Sequence, residues 1–321
     1  MFIYVMKPQP IVSIIIVSYN VSAILRQALA SIIRETRIAY EIIVVDNLSS
    51  DDSCAMVEAE FPAAILVRNA ENVGFARANN QGLARARGEY VLFLNPDTII
   101  LNGAIDAMVE FLTAHPEIGV LGPHTFNADG ASVQATVLHY PTLLRAFHAN
   151  IPLWRLTLVW RPPLLGEYVP RASGEVEIVK GSCMLMRTAL AREIGGMNEQ
   201  YFMYSEEIDL CEAVAARGLA VYYFTGASII HLGGASTDAV SETMAVQLYR
   251  SLKQVFARRY RQSPLALGVL RWILFVGSLW RAGVWRAATL VPNLPTERAQ
   301  KAQKRFRAHR ALLRWLAKEY A

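Results

Sequence analysis

The sequence is poor in cysteine. Its three cysteines, Cys54, Cys183 and Cys211, are far apart and form no CxxC pair. This odd, sparse set argues against a disulfide framework and against a cysteine zinc site, and it favours a reducing compartment. Residues 1–10 are too short for a secretory signal, and no cleavage site follows them. We therefore expect a chain that starts in the cytoplasm.

Charged residues are also scarce. They make up 18% of the chain against 53% apolar residues, so a sizeable core can be buried and global disorder is excluded. The basic charge is concentrated at the C-terminus: residues 297–321 hold eight Lys or Arg and two Glu, a net charge of +6, whereas the whole chain has +5. A basic tail of this kind seeks phosphates, either on lipid headgroups or on nucleic acid.

Apolar runs alternate with segments of helical spacing in the first third of the chain. The first run, residues 11–17, is rich in β-branched residues and is typical of a strand that is buried on both faces of a parallel sheet. The alternation predicts a doubly wound α/β sheet. Further strands are predicted at 41–45, 64–68 and 90–94, and helices at 21–34, 52–60 and 75–87.

Polar residues follow three of these predicted strands. They are Tyr19-Asn20, Asp46-Asn47, and Asn95 with Asp97. Each alone is typical of a turn. Because ligands of open parallel sheets bind outside the carboxyl ends of the strands, three such clusters favour a ligand site over three unrelated turns.

The remainder of the chain is less regular. Beyond residue 100 the sequence predicts a helix at 102–114, an irregular segment at 122–175, strands near 176–187, an acidic helix from Ser205 to Arg217, a strand at 219–224 and a turn at 231–234. The chain as a whole divides into a domain over residues 1–260 and a basic amphipathic helical segment over 261–321.

Two acidic sites lie far apart in this order, Asn95-Pro96-Asp97 and Glu206-Glu207-Ile208-Asp209. A diphosphate leaving group needs a divalent cation, which takes oxygen ligands, and an inverting displacement needs a carboxylate base for the acceptor hydroxyl. Two separated carboxylate sites meet both needs.

With these motifs the chain resembles family 2 glycosyltransferases of the GT-A fold, in the branch that includes bacterial rhamnosyltransferases. The resemblance extends over residues 11–260, and the order and spacing of its motifs make it specific. It implies a catalytic domain over residues 1–260, with a nucleotide-binding half at about 11–120 and an acceptor-side half at about 121–260. The matching segments are residues 17–20, 44–51, 72–80, 92–98, 180–184, 195–199 and 204–210.

The resemblance implies a nucleotide-binding set of residues. Tyr19, Asp46 and Asn47 match positions that contact the nucleoside, and Asp46 is expected at the pyrimidine edge. The whole set implied for the nucleotide is Ser18, Tyr19, Asn20, Asp46, Asn47, Asn72, Gly74, Phe75, Asn79 and Asn95.

The resemblance also implies a metal site for Mg²⁺ or Mn²⁺. Asp97 matches the metal-binding aspartate of the DXD motif, and Asn95 replaces the first acidic residue of that motif. We expect Asp97 to be the direct carboxylate ligand. His231 matches a histidine near the diphosphate or metal, and a purely structural histidine stays an alternative.

Three acids compete for the role of catalytic base. Glu207 occupies the usual base position of the family, Asp209 is the second choice, and Glu206 is the third. On a helix of about 3.6 residues per turn, Glu206 and Asp209 share a face and Glu207 points about 100° away. The alternative is that these acids only stabilise the start of a helix through its dipole.

The segment 264–292 is strongly apolar but is interrupted by Arg271, Arg281 and Arg286. Its longest charge-free run is too short for a simple membrane span, which needs about 20 apolar residues. The three arginines and Ser278 fall on one stripe, a pattern typical of a helix at a membrane interface. Packing on the catalytic domain or on a second subunit is the alternative.

The resemblance therefore implies an inverting glycosyltransferase at the inner face of the cell membrane. It would move a sugar, with rhamnose from dTDP-rhamnose as one candidate, from a nucleoside diphosphate donor to a glycan or polyprenyl-linked acceptor of bacterial cell-surface polysaccharide. Partners would include an anionic membrane surface; nucleic acid is not expected, and a homo-oligomer stays open.

Three other classes of protein fit the sequence less well. A nucleotidyltransferase that makes nucleotide sugars would carry a glycine-rich, cationic loop after its first strand, and an oxidoreductase would carry GxGxxG there. Residues 18–22 have neither. A non-catalytic binding protein that uses the basic tail would leave Asp97 and Glu207 unexplained.

Overall fold

A computed structural model describes residues 9–151, 166–233, 241–291 and 295–318. The chain forms two compact units. The first contains the described residues up to Leu138, those from Glu167 to Phe202 and those from Glu206 to Gly233. The second contains residues 139–151, 203–205 and the described residues from Ser241 onward.

The first unit is built on a mixed, mainly parallel sheet flanked by helices, as the sequence predicts. Its nine strands run in the order β3-β2-β1-β4-β11-β6-β12-β5, with β9 paired to β12. The strands of the unit are β1 Val12–Ser18, β2 Tyr40–Asp46, β3 Ile65–Arg68, β4 Tyr90–Leu94, β5 Thr98–Leu101, β6 Ile118–Phe126, β7 Val137–Leu138, β8 Glu167–Tyr168, β9 Gly174–Glu175, β10 Ile178–Val179, β11 Cys183–Arg187 and β12 Ala220–His231.

Strands β1 to β4 pair in parallel, and β11 runs antiparallel to both β4 and β6. A second, three-stranded sheet has the order β10-β7-β8. The helices of this unit are α1 Ser22–Glu35, α2 Ser53–Glu60, α3 Phe75–Arg85, α4 Ala104–Ala114, α6 Thr188–Glu193 and α7 Glu206–Ala215.

Strand β1 is buried on both faces, which explains its continuous apolar sequence. Ile14 and Ile16 pack with Leu25 and other residues of α1 in one cluster. Ile15 points to the opposite face, because side chains alternate along a strand, and there it meets Gly82 of α3 so closely that a Cβ atom at that glycine would lie 2.4 Å from Ile15 Cγ2.

The predicted strand at 90–94 and the other three predicted strands of the first third are confirmed to within a residue or two. Strand β12 is longer than the predicted 219–224, because its pairing with β6 resumes after a register shift between Phe224 and Ser228. His231 is therefore the last residue of a strand and not part of a turn. Gly234 of the predicted turn lies outside the described residues.

The second unit is helical. It consists of α5 Leu143–Asn150, α8 Ser241–Arg259, α9 Pro264–Ala288 and α10 Thr296–Lys318. Phe256, Leu270 and Leu312 belong to its buried core. This unit is larger than the 261–321 segment of the sequence analysis because α5 and α8 pack with α9 and α10.

Helix α9 differs from the expectation for residues 264–292. Its 25 residues are apolar enough, by length and composition, to cross a membrane, because the most apolar 18-residue window contains at most two charges. Of that window, 33% is buried. The predicted polar stripe is turned partly inward, since Ser278 is fully buried and Arg281 donates hydrogen bonds to Asn150 Oδ1 and Ala149 O.

Candidate active site at the carboxyl ends of the strands

The ends of β1 and β2 lie side by side and place Asp46 at the edge of the sheet. The Asn47 amide donates to Ser18 O over 2.8 Å. Asp46 is buried; its Oδ2 accepts from the Ser49 amide over 2.9 Å, and its Oδ1 has no hydrogen-bond partner among the described residues. A buried carboxylate oxygen without a partner is costly unless a ligand binds it.

Asn20 closes the loop beside Asp46. Its φ of 54° is left-handed, which asparagine tolerates better than most residues. Its amide donates to Ser49 Oγ over 2.9 Å, and its Oδ1 accepts from the Ser50 amide over 2.6 Å. Tyr19, before it, is partly exposed at the same loop. Asn20 therefore shapes the loop, and Tyr19 has a free ring surface there.

Asn47 holds the next segment of the chain against the end of β2. Its Nδ2 donates to Asn72 Oδ1 over 2.9 Å and to Gly74 O over 3.2 Å. Its Oδ1 accepts from the Asn69 side chain and the Val73 amide. Asn47 is buried, and its side chain is fully engaged within the protein. It therefore positions residues 69–74 and does not present a free polar group.

Gly74 and Phe75 begin α3 and are fixed against Phe202. The Phe75 amide donates to Phe202 O over 2.7 Å, and a Cβ atom on Gly74 would lie 2.5 Å from that same oxygen. Gly74 has a φ of 86°. Asn79 is buried one turn later and donates to Phe75 O over 3.0 Å. Glycine is therefore required here for both space and backbone conformation.

Asp97 and His231 lie close together because the C-terminal end of β12 pairs with β5. His231 is opposite Thr98, the residue after Asp97. His231 Nε2 lies 3.2 Å from Asp97 Oδ1 and 3.4 Å from Asn95 Nδ2. The other ring nitrogen, Nδ1, lies 2.7 Å from Gln134 Oε1. An Nδ1–H donated to Gln134 leaves the Nε2 lone pair of a neutral ring facing the Asp97 carboxylate.

This arrangement fits a cation. A lone pair and a carboxylate oxygen that face each other are stabilised by a metal ion or a proton between them, and a histidine ligand usually donates its second N–H to another group. Asn95 Oδ1 is buried without a hydrogen-bond partner among the described residues and is a further candidate ligand, a neutral oxygen. In the described part of the chain no cluster of three or more His, Cys, Asp or Glu is found. Remaining positions on a cation would thus fall to the donor phosphates.

Gln134 orients His231 and was not singled out from the sequence. Its Nε2 also donates to Asn127 Oδ1 over 3.2 Å, which fixes the amide. No local sequence motif distinguishes this glutamine, because its contact with His231 forms only when the end of β12 packs beside it.

Residues 181–182 connect the two acidic sites. Ser182 O accepts from the Asn95 amide over 3.0 Å and from Thr98 Oγ1 over 3.4 Å. At the preceding residue, a Cβ atom on Gly181 would lie 3.8 Å from Glu207 Cβ. Glu207 therefore adjoins the short segment 181–182, which also accepts hydrogen bonds from the turn that contains Asn95 and Asp97. Gly181 and Ser182 lie in a matching segment of the sequence but were not among its site residues.

The three acids of α7 have different surroundings. Glu206 is buried, and burial together with the charge of Glu207 raises its pKa well above the usual range of a glutamate. Asp209 is also buried and accepts hydrogen bonds from Asn198 Nδ2 over 2.8 Å and from the Tyr201 hydroxyl over 3.0 Å. Glu207 is half-buried. Glu206 and Asp209 share the buried face, as helical periodicity predicts.

One curated relative is similar over most of the chain and another over about a third of it. N-acetylglucosaminyl-diphospho-decaprenol L-rhamnosyltransferase of Mycobacterium tuberculosis is 28% identical over 277 residues, which are 82% of this chain and 89% of that protein. The minor teichoic acid biosynthesis protein GgaB of Bacillus subtilis is 34% identical over 125 residues, 37% of this chain and 14% of that protein.

Solved structures of low identity have the same fold. A mannosyltransferase of Pyrobaculum calidifontis, solved with GDP-Man and Mn²⁺, superposes with a TM-score of 0.55 at 18% identity and covers 97% of this chain and 87% of its own. GalNAc-T7 with UDP, GalNAc and Mn²⁺ has a TM-score of 0.56 at 12% identity over 81% of this chain and 53% of its own.

These likenesses show a GT-A fold, and the sequence profile of glycosyl transferase family 2 matches residues 13–195, more than half of the chain. With the strand-end site described above, the chain belongs to glycosyl transferase family 2.

Proposed function

We propose that this glycosyltransferase inverts the configuration at the anomeric carbon of the sugar it transfers. Glu207 would be the base, and a nucleoside diphosphate sugar would be the donor. The observation that carries the proposal is the shared position of Glu207 and the Asn95–Asp97 turn against residues 181–182. An in-line attack requires the base beside the acceptor hydroxyl, on the face of the anomeric carbon opposite the departing diphosphate, and a short segment that adjoins both groups could hold them on either side of the donor sugar.

The surroundings of the three acids support Glu207 over its neighbours. Burial and the charge of Glu207 raise the pKa of Glu206 well above its usual range, which favours the protonated acid, and a protonated acid cannot accept another proton. Both oxygens of Asp209 already accept hydrogen bonds from Asn198 and Tyr201. Asp209 instead fixes the 198–201 loop to α7, and the base role falls to Glu207.

The donor side is assigned to Asp46 and to the metal group. Asp46 Oδ1 is buried and has no hydrogen-bond partner among the described residues, and we assign it to accept an N–H from the pyrimidine edge of a bound nucleotide. Asp97, with His231 and Asn95 beside it, would hold Mg²⁺ or Mn²⁺, which supplies positive charge to the departing diphosphate when bound. Gln134 keeps His231 in the tautomer that a ligand needs. Asn20, Asn47, Asn72, Gly74 and Asn79 shape the walls of this side.

The acceptor and the setting follow from the relatives and from α9. The rhamnosyltransferase of M. tuberculosis is named for a lipid-linked acceptor, and we propose a polyprenyl-linked or glycan acceptor of cell-surface polysaccharide here, with dTDP-rhamnose as the first donor to test. Leu265, Trp272 and Leu279 form an exposed apolar face on α9, which supports peripheral attachment to the inner face of the cell membrane.

The test is hydrolysis or transfer from dTDP-, UDP- and GDP-linked sugars with Mg²⁺ or Mn²⁺. Replacing the base should lower kcat by about 10²–10⁴-fold in Glu207→Gln, since general base catalysis contributes that much. Asp97→Ala should raise the metal concentration needed for half-maximal activity. The matched control is Glu212→Gln, the same substitution on the same helix.

A Glu207→Gln enzyme as active as the Glu212→Gln control would refute the base assignment. Donor binding measured by calorimetry separates the two sides of the site: Glu207→Gln should keep nucleotide affinity, whereas Asp97→Ala should lose the metal-dependent part of it. Loss of nucleotide affinity in both variants alike would contradict the division of roles.

A further inference from the structure

A cavity of about 470 Å³ lies within the helical unit, and none of the residues that line it is assigned to sugar transfer. Helices α8, α9 and α10 and the end of α5 line it. Part of its wall is aromatic or aliphatic, including Tyr249, Trp280 and Val284. The other part is basic, with Arg281, Arg305 and His309. A cavity of this mixed kind suits a ligand that has an anionic end and an apolar end.

The positive charge of the cavity is not neutralised by its own wall. Among the described residues that line it, none is Asp or Glu. Arg281 donates to Asn150 Oδ1 over 2.8 Å and to Ala149 O, both neutral oxygens. Its guanidinium is therefore held in place while it keeps a full charge. A fixed arginine is a preferred partner for a phosphate, because its planar fork matches two phosphate oxygens.

His309 adds a neutral donor between the two arginines. Burial and the charges of Arg281 and Arg305 lower its pKa to about 4. The ring is therefore uncharged at neutral pH and offers an N–H group, which a phosphate oxygen can accept.

The cavity borders the exposed apolar face of α9. Trp280 is 57% exposed and Val284 is 46% exposed, and both also line the cavity. The same helix exposes Leu265, Trp272 and Leu279, which are spaced about two turns apart on one side of the helix. Tryptophan at the margin of an apolar face is typical of the headgroup level of a bilayer. The cavity is thus continuous, through Trp280 and Val284, with an exposed surface suited to the headgroup region of one leaflet.

We propose that this cavity binds the phosphate headgroup of an anionic phospholipid, with Arg281, Arg305 and His309 as its polar contacts and Trp280 at its margin. This inference rests on the membrane part of the proposed function and gives it a specific lipid contact. The bilayer phospholipid is preferred over a soluble phosphate because the basic wall and the exposed apolar face share residues.

The test compares Arg305→Gln with Arg307→Gln in the full chain. Both arginines are exposed on α10, and only Arg305 lines the cavity. Each substitution removes one positive charge, so general attraction to an anionic surface falls equally, by about fivefold. Binding to phosphatidylcholine vesicles with and without phosphatidylglycerol is measured by co-sedimentation. We expect Arg305→Gln to lose about tenfold more affinity than the control for the anionic vesicles, since a charge-assisted contact is lost as well.

Equal losses in the two variants would overturn the proposal, because the charge of the helix alone would then explain binding. So would tight binding of inorganic phosphate without vesicles, followed by tryptophan fluorescence, because the site would then recognise a soluble anion. Thermal unfolding of both variants checks that each is folded. Donor affinity of the wild-type protein, measured without vesicles, tests the glycosyltransferase assignment separately, so failure of one proposal is distinguishable from failure of the other.

Discussion

Replacing Gly74 by alanine tests how the donor side of the site is built. The glycine has a φ of 86° and a ψ of 169°, a combination open to glycine almost alone. Strain of this kind costs about 1–3 kcal/mol. The added Cβ would also lie 2.5 Å from Phe202 O, and such overpacking costs about 1–3 kcal/mol more.

The clash cannot be relieved cheaply. Phe202 O is a backbone atom that accepts the Phe75 amide hydrogen bond over 2.7 Å, and moving it away would weaken that bond. We therefore expect Gly74→Ala to lower the free energy of unfolding of the first unit by about 4 kcal/mol, as the sum of strain and overpacking. Since Asn47 Nδ2 donates to Gly74 O, the shift should also weaken nucleotide binding.

Urea unfolding followed by circular dichroism measures the first effect, and calorimetry with a nucleoside diphosphate measures the second. Gly195→Ala is the control. Gly195 has a similar φ of 81°, but among the described residues no atom beyond its neighbours lies within 4 Å of its added Cβ. It should show the conformational cost alone, about 1–2 kcal/mol. A Gly74→Ala protein no less stable than Gly195→Ala would refute the role of the Phe202 contact.

Two further predictions concern the acids of α7. Burial and Glu207 raise the pKa of Glu206 in the folded state, so its contribution to stability is full below the unfolded value of about 4.3 and is lost as pH rises through the folded pKa. Glu206→Gln should therefore remove this loss and make the unfolding free energy less dependent on pH above that value; an unchanged pH profile in urea titrations would contradict it. Asp209→Asn should destabilise the protein by about 1.5–3 kcal/mol, the usual worth of a hydrogen bond to a charged group, because an amide cannot accept from both Asn198 and Tyr201 with two oxygens. Thermal unfolding beside Glu212→Gln measures this, and equal midpoints for the two variants would argue against a structural role.

The alternation of β-branched runs and helical spacing was enough to predict the parallel half of the sheet. Buried strands need continuous apolar residues, so 11–17 and 90–94 could be recognised locally. Motif order then predicted roles for Asp46, Asp97 and the acids of α7. Helical periodicity separated Glu207 from Glu206 and Asp209, and the burial of the latter two confirms that separation.

Other features depended on contacts between distant segments. The role of Gln134 could not be recognised from the sequence, because its partner His231 is 97 residues away and is brought to it by the part of β12 beyond the register shift. Helical periodicity predicted a polar stripe on α9 but not whether that stripe faces solvent or protein. In the structure Ser278 is buried and Arg281 donates a hydrogen bond to Asn150, while part of the apolar side is exposed.

Sequence alone thus determined which residues are chemically capable, since strand and helix patterns are set by neighbours along the chain. Tertiary structure decided what surrounds each of these groups. Asp209 and Glu207 differ by two positions in one motif, yet Asn198 and Tyr201 occupy the first while residues 181–182 adjoin the second. Burial, hydrogen-bond saturation and charge proximity are properties of packing, and no spacing along the chain encodes them.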